Sequence, residues 1–286
     1  MKSPAFDYIR VNSVADALEA YRSLEGEGVY LAGGHSVVPS LTLRLQAPAA
    51  LIDLSGIDAL SGISLQGGWL RIGAMTRHAE IASDPLIREH ARLFHLAAPH
   101  VAHPAIRNRG TLGGSLSLAD PASEFPAVAL ALRAEMEIAG ADGIRRVKAD
   151  DFFLDIYETA MEPGEILQAI LVPPVRAGQV AVFDELARRR GDYAMVGAAV
   201  QAEFDGPGLT DISIAFFSVG NKPTRAGSAE AALREKALDD TTIAAAQAAL
   251  DGDLEPSDEP QMPASVRRHL ARVLLGRLLG HLGTTE

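Results

Sequence analysis

Two stretches decide how this chain is read: Val29-Tyr30-Leu31-Ala32-Gly33-Gly34-His35-Ser36, and Arg107-Asn108-Arg109-Gly110-Thr111-Leu112-Gly113-Gly114-Ser115. The first is a short apolar strand, Val29 to Ala32, that runs straight into paired glycines. Paired glycines let a backbone turn sharply and present successive N–H groups with no side chain in the way. Such a turn can cradle a phosphate, and it can equally be an ordinary β-turn. The second stretch repeats the glycine pair, with hydroxyls at both ends and basic residues upstream. Backbone amides, hydroxyls and the helix start expected at Asp120 would together make an anion site, with a structural loop as the alternative. Neither stretch fits the GxGxxG dinucleotide pattern or the GxxxxGK[ST] phosphate loop.

Outward from these stretches, three regions emerge. In region 1–60, Ser13 and Asp16 look like a capping box ahead of Val14, Ala17, Leu18 and Tyr21 at helical spacing. After Ser36, a helix or turn from Val37 to Leu45 leads to a strand, Ala50 to Leu54, which makes a compact β-loop-α-β unit. Region 61–175 opens on a hairpin, Ile63 and Leu65 against Leu70, Ile72 and Ala74 around Gly67-Gly68. Helical patterns occupy 77–100, and a loop runs from His103 to Ser117. Asp120-Pro121 reads as a helix cap with proline at the first helical position, ahead of a helix from Ala122 to Leu132. A second hairpin, Glu135 to Ala139 and Ile144 to Val147, comes before the linker Pro173-Pro174. Region 176–286 gives strand-like segments Ala181–Ala187, Tyr193–Phe204 and Leu209–Val219, then helices. Strands first and helices after predict an α+β domain with an antiparallel sheet. The segment 251–263 reads as an exposed loop.

Composition narrows the function. The 286 residues carry a formal net charge of −11, which argues against nucleic acid and against an anionic membrane surface as partners. No apolar run is long enough to cross a bilayer, and the amino terminus lacks the apolar stretch of a secretory signal, so a cytoplasmic protein is expected. There is no cysteine, hence no disulfide and no iron–sulfur cluster held by thiolates of this chain.

Read together, AGGHSVVPSLTLRL (32–45), LIDLS (51–55), IGAMTRHAEI (72–81), IRNRGTLGGSLSLADPASEFPAVALAL (106–132), EPGEILQAILVPP (162–174) and RRRGDYAMVGAAV (188–200) resemble the flavin subunit of the molybdenum hydroxylases. That family includes carbon monoxide dehydrogenase medium subunits and the flavin region of xanthine dehydrogenase. The resemblance runs over nearly the whole chain, in order. It implies a two-part FAD-binding domain of the vanillyl-alcohol-oxidase-like type, split here as 1–60 and 61–175, followed by the α+β domain at 176–286.

The resemblance also implies a set of site residues. Ala32, Gly33, Gly34, His35, Ser36 and Val37 would hold the pyrophosphate of a non-covalent FAD, and Thr111, Gly113, Gly114 and Ser115 would contact it too. Glu124 matches an acid in contact with the cofactor. A carboxylate beside a pyrophosphate would be repelled, so a hydrogen bond to FAD hydroxyls is the job expected of it. Leu167 matches a position packed near the flavin. Tyr193 matches an aromatic site near the isoalloxazine ring, with a core tyrosine as the alternative. A histidine after paired glycines is joined covalently to flavin in another branch of the fold, but HSVVPS matches the non-covalent group. Some members carry a lysine that reaches the flavin where this chain reads Phe183-Asp184-Glu185.

The expected role is electron transfer, with no catalytic nucleophile, acid–base pair or metal site in this chain. By resemblance the partners are a small [2Fe–2S] subunit and a large molybdopterin subunit, assembled as a dimer of heterotrimers. Two rivals stand beside this: a free-standing FAD oxidase or reductase of the same fold, and a scaffold without cofactor. His78, His95, His100 and His103 show no metal-ligand spacing and read as surface or satisfied core residues. Arg188-Arg189-Arg190 reads as a solvated face or as a dock for an acidic surface.

Overall fold

A computed structural model of the chain describes residues 2–206 and 208–282. Pro207 and positions 283–286 of the expected third region lie outside the described residues. The chain opens with β1 (Asp7–Arg10) and α1 (Val14–Ser23). Ser13 caps α1, its Oγ accepting from the Asp16 amide at 3.0 Å, one of the N–H groups that a helix start leaves unpaired. Then come β2 (Gly28–Leu31), α2 (Val37–Thr42) and β3 (Ala50–Asp53). The strands form a parallel sheet in the order β1-β3-β2. The expected β-loop-α-β unit is present. β1 was not expected; it is a mostly exposed edge strand too short to show an alternating pattern.

The next stretch holds β4 (Ile63–Gln66) and β5 (Trp69–Gly73), joined by Gly67 and Gly68 at φ of +58° and +85°. Those left-handed angles are what a two-residue hairpin turn needs. The helical stretch that follows is three helices: α3 (His78–Ser83), α4 (Pro85–His90) and α5 (Arg92–Ala97). Asp84 divides the first two, its Oδ1 accepting from the Leu86 amide at 2.8 Å with Pro85 at the first helical position. The expected loop from His103 to Ser117 contains α6 (Pro104–Arg107) and most of α7 (Leu112–Leu118). Gly113 and Gly114 therefore lie in the first turn of a helix, not in a turn like that of Gly33-Gly34. Helix α8 (Glu124–Ala131) starts later than expected. Asp120 does not cap it; its Oδ1 accepts from the Ala122 amide at 2.9 Å in a local turn.

β6 (Glu135–Gly140) and β7 (Gly143–Lys148) form the expected second hairpin. After α9 (Ala149–Phe152) and the small pair β8 (Phe153–Asp155) and β9 (Glu158–Thr159) comes β10 (Ile166–Val172). β10 sits at the centre of a five-stranded sheet ordered β4-β5-β10-β6-β7.

The last part is a four-stranded antiparallel sheet in sequence order: β11 (Gln179–Leu186), β12 (Val196–Asp205), β13 (Gly208–Phe217) and β14 (Thr224–Arg225). Tyr193 precedes β12 and is outside the sheet. α10 (Gly227–Leu233), α11 (Asp240–Asp253) and α12 (Ala264–Leu282) pack with this sheet around one apolar core. Segment 251–263 is only partly an exposed loop: it begins inside α11, and Leu254 is buried in that core. Strands β12 and β13 also pack against α8. That helix is buried all round from Phe125 to Ala131, as befits a helix packed between the β11–β14 sheet and helices α5, α7 and α9. Arg133, just beyond α8, forms a two-pronged ion pair with Asp211 of β13.

Candidate functional site

The site starts from a rail. Residues 74–78, between β5 and α3, run beside residues 110–113. The Gly113 amide donates to Ala74 O at 2.8 Å, the Leu112 amide to Thr76 O at 2.9 Å, and the His78 amide to Gly110 O at 3.0 Å. The approach is so close that a Cβ on Gly113 would lie 2.4 Å from the Cβ of Ala74. Glycine is a poor helix former, but this contact demands it, and Thr111 offsets the cost by capping α7. Thr111 Oγ1 accepts from the Gly114 amide at 3.2 Å.

The first glycine segment packs on the second. A Cβ on Gly33 would sit 2.6 Å from Arg109 O and 2.9 Å from the Cα of Gly110. Gly34 has φ +82°, the left-handed region that side chains avoid. Among the described residues, the main-chain N–H groups of Gly33, Gly34, His35 and Ser36 donate to no acceptor in the chain. Successive free amides around a left-handed residue form a concavity suited to an anion.

Both segments line one cleft of about 630 Å³, a size that suits a ligand or cofactor. Every residue nominated from sequence lines it: Ala32 to Val37, Thr111, Gly113, Gly114, Ser115, Glu124, Leu167 and Tyr193. Leu167 enters from β10 and is buried at 4% exposure. Tyr193 is no core residue; it is 73% exposed at the wall, its hydroxyl donating to Asp120 Oδ2 at 3.3 Å.

Two acids show how the wall handles charge. Glu165 is tied off by Arg145, whose Nε and Nη2 donate to its carboxylate at 2.7 and 2.6 Å, and this pairing holds its carboxyl below the usual range. Glu124 has no such partner. Burial pushes its pKa up to about 7, with the nearby Glu185 adding to the effect. Near neutrality it can therefore accept or donate a hydrogen bond.

Several residues lie outside the site nominated from sequence or differ from their sequence reading. Tyr30 lines the cleft, and its hydroxyl donates to Gly164 O at 2.9 Å, joining the parallel sheet to the segment before β10. His78 also lines the cleft. It is neither a surface histidine nor a satisfied core one, because both its ring nitrogens are buried without a partner. His95 Nδ1 is likewise buried and unpartnered, whereas His103 is exposed. His100 Nδ1 lies 3.3 Å from Glu185 Oε1, so the acid that stands in the Phe183-Asp184-Glu185 stretch is hydrogen-bonded to a histidine, which raises that histidine's pKa. Arg107 is not free to meet an anion: its Nη1 donates to Val101 O at 2.9 Å and Ala102 O at 3.0 Å. Arg188, Arg189 and Arg190 are exposed. Among the described residues, no group of three or more His, Cys, Asp or Glu could hold a metal ion.

Residues 4–175 match the family model described as "FAD binding domain in molybdopterin dehydrogenase", and residues 181–282 match "CO dehydrogenase flavoprotein C-terminal domain". The chain belongs to this family of flavin subunits. The flavin subunit is 38% identical to the carbon monoxide dehydrogenase medium chain of Afipia carboxidovorans, over 96% of this chain and 95% of that one. It is 35% identical to the 6-hydroxypseudooxynicotine dehydrogenase complex subunit alpha of Paenarthrobacter nicotinovorans, over 98% and 95%. Its fold superposes on the carbon monoxide dehydrogenase of Hydrogenophaga pseudoflava with a TM-score of 0.95, 36% identity and 98% of each chain covered. The quinoline 2-oxidoreductase of Pseudomonas putida 86 gives a TM-score of 0.93 at 35% identity. The flavin subunit is thus an oxidoreductase component with an FAD-binding domain and a C-terminal domain built on an antiparallel sheet. The residues present fit the cofactor. The free amides of Gly33 to Ser36 suit a diphosphate, and an acid held near neutrality suits hydroxyls. No helix among the described residues is long and apolar enough to cross a membrane.

Proposed function

We propose that this chain is the electron-transfer subunit of a molybdenum hydroxylase, binding one non-covalent FAD in the cleft. Gly33 to Val37 and Thr111 to Ser115 hold its diphosphate, Glu124 meets its hydroxyls, and Leu167 and Tyr193 flank its ring. The observation that carries this reading is the convergence of both glycine segments on one cleft that bears a row of free amides. Bound there, FAD supplies conversion between single-electron and paired-electron transfer. The chain's own residues do the rest. Main-chain amides neutralise the diphosphate without spending a side-chain charge. Glu124 orients hydroxyls, and the apolar Leu167 keeps water from one wall.

Electrons arrive from [2Fe–2S] clusters of a small partner subunit and leave to an external acceptor. The absence of cysteine supports this, because the clusters need thiolates that this chain lacks. A large molybdopterin subunit completes a heterotrimer, which pairs into a dimer of heterotrimers in the cytoplasm. The division 1–60, 61–175 and 176–286 is supported by the three larger sheets among the described residues, one of which falls in each part.

The test is reconstitution. The FAD-loaded chain is mixed with its cluster-bearing and molybdopterin partners, and flavin absorbance is followed after substrate is added. Bleaching that requires all three subunits is expected. Substrate oxidation by the FAD-loaded chain alone would make it a free-standing oxidase instead.

A further inference from the structure

Buried polar groups in folded proteins almost always have a hydrogen-bond partner, and an exception calls for a cause. The wall of the FAD cleft holds one. His78 is only 6% exposed, and neither Nδ1 nor Nε2 has a partner. The Thr111 main chain lies close enough to favour the protonated ring, but it leaves both nitrogens unsatisfied.

The surroundings fix where the ring sits. Its own amide is bound to Gly110 O at 3.0 Å. Its edge packs on Phe125, with ring centroids 4.9 Å apart at 88°. A Cβ on Gly110 would lie 3.0 Å from both Cε1 and Nδ1 of the ring. The ring therefore lies beneath the second glycine segment, and it is close enough to His35 of the first for the two to interact electrostatically. Both segments that grip the diphosphate border it.

We propose that His78 is a further cofactor-binding residue, which donates a hydrogen bond from a ring nitrogen to the diphosphate stretch of the bound FAD. This rests on the FAD reading of the cleft. Burial pushes its pKa down to about 4, so in the cofactor-free chain the ring is neutral and carries one N–H to give. A neutral donor needs no counter-ion when the cofactor is absent. The orphaned nitrogens are then a local cost of the free chain that cofactor binding relieves.

The experiment is a titration of cofactor-free chain with FAD, read by flavin fluorescence, with thermal melting of the free chain alongside. The proteins are the wild type, His78→Phe and His78→Gln. His78→Phe keeps the aromatic packing on Phe125 and removes both orphans. It should melt no lower than wild type without FAD, yet bind FAD about 10- to 100-fold more weakly, the range for one hydrogen bond to a charged group. His78→Gln, with an amide donor, should recover part of that loss. FAD affinity of His78→Phe equal to wild type would overturn the proposal. So would a lower melting temperature together with lost affinity that His78→Gln leaves unrecovered, since the ring would then be a packing strut. A wild type that binds no FAD would sink the underlying reading instead.

Discussion

Gly33 lies against the backbone at Arg109 so closely that a single methyl group on it would stand 2.6 Å from the Arg109 carbonyl oxygen. The colliding atom is backbone, so no side-chain rotation relieves the clash. Gly33→Ala should pry the two glycine segments apart and weaken FAD binding by about 100-fold or more, about 2.7 kcal/mol. FAD titration checks affinity, and circular dichroism should show the secondary structure retained. Gly114→Val should also abolish FAD binding while leaving α1 folded, because its Cβ would stand 2.8 Å from the Thr111 Oγ1 that caps α7.

Glu124 makes stability depend on pH in a defined direction. Its pKa rises from 4.5 unfolded to about 7 folded, chiefly through burial. The folded state thus holds the proton more tightly, and stability present at low pH is lost as pH rises through about 7. Glu124→Gln should raise the melting temperature of the FAD-free chain at about pH 8 and leave it nearly unchanged at about pH 4. Calorimetry at both pH values decides; a gain confined to the acid side would contradict the assignment.

Arg133 and Asp211 join the end of α8 to β13 across the two domains. Arg133 Nη2 donates to Asp211 Oδ1 at 2.8 Å, and a second bond runs from Nη1 to Oδ2. Both side chains are largely but not fully covered, so Arg133→Ala should cost about 1–2 kcal/mol. Denaturant unfolding measures it. FAD affinity should hardly change, because neither residue lines the cleft.

Tyr193 should separate binding from electron transfer. At 73% exposure it contributes little buried contact. Tyr193→Ala should shift FAD affinity by less than about tenfold. In the assembled complex it should still alter the flavin absorbance spectrum and its bleaching rate, because the proposed site puts its ring beside the isoalloxazine. Unchanged spectra and rates would remove it from the site.

Short-range signals carried most of the fold. Ser13 announces α1 by a cap that reaches three residues ahead, and Gly67-Gly68 announces a hairpin by allowing the positive φ that such a turn needs. β10 gave no such signal. It is covered on both faces at the centre of its sheet, so Ile166–Val172 shows no alternation. α7 was hidden for the opposite reason. Gly113 and Gly114 argue locally against a helix, and the carbonyls of Ala74 and Thr76 that anchor its start are remote in sequence.

The site was legible through the order of its motifs more than through any one residue. A lone glycine pair could be a turn, but two of them with Glu124, Leu167 and Tyr193 in family order pointed to one cleft. His78 escaped because its motif, IGAMTRHAEI, says nothing of lying beneath Gly110. Only the packing of α3 under that segment turns an ordinary histidine into an orphaned donor.

In the proposed site, two glycine segments grip a single FAD with main-chain amides. Titrating the cofactor-free chain with FAD, followed by fluorescence and by absorbance after gel filtration, tests it most directly. One tightly held FAD per chain is expected, released on denaturation because no covalent bond forms at His35. A chain that stays colourless at saturating FAD would contradict it.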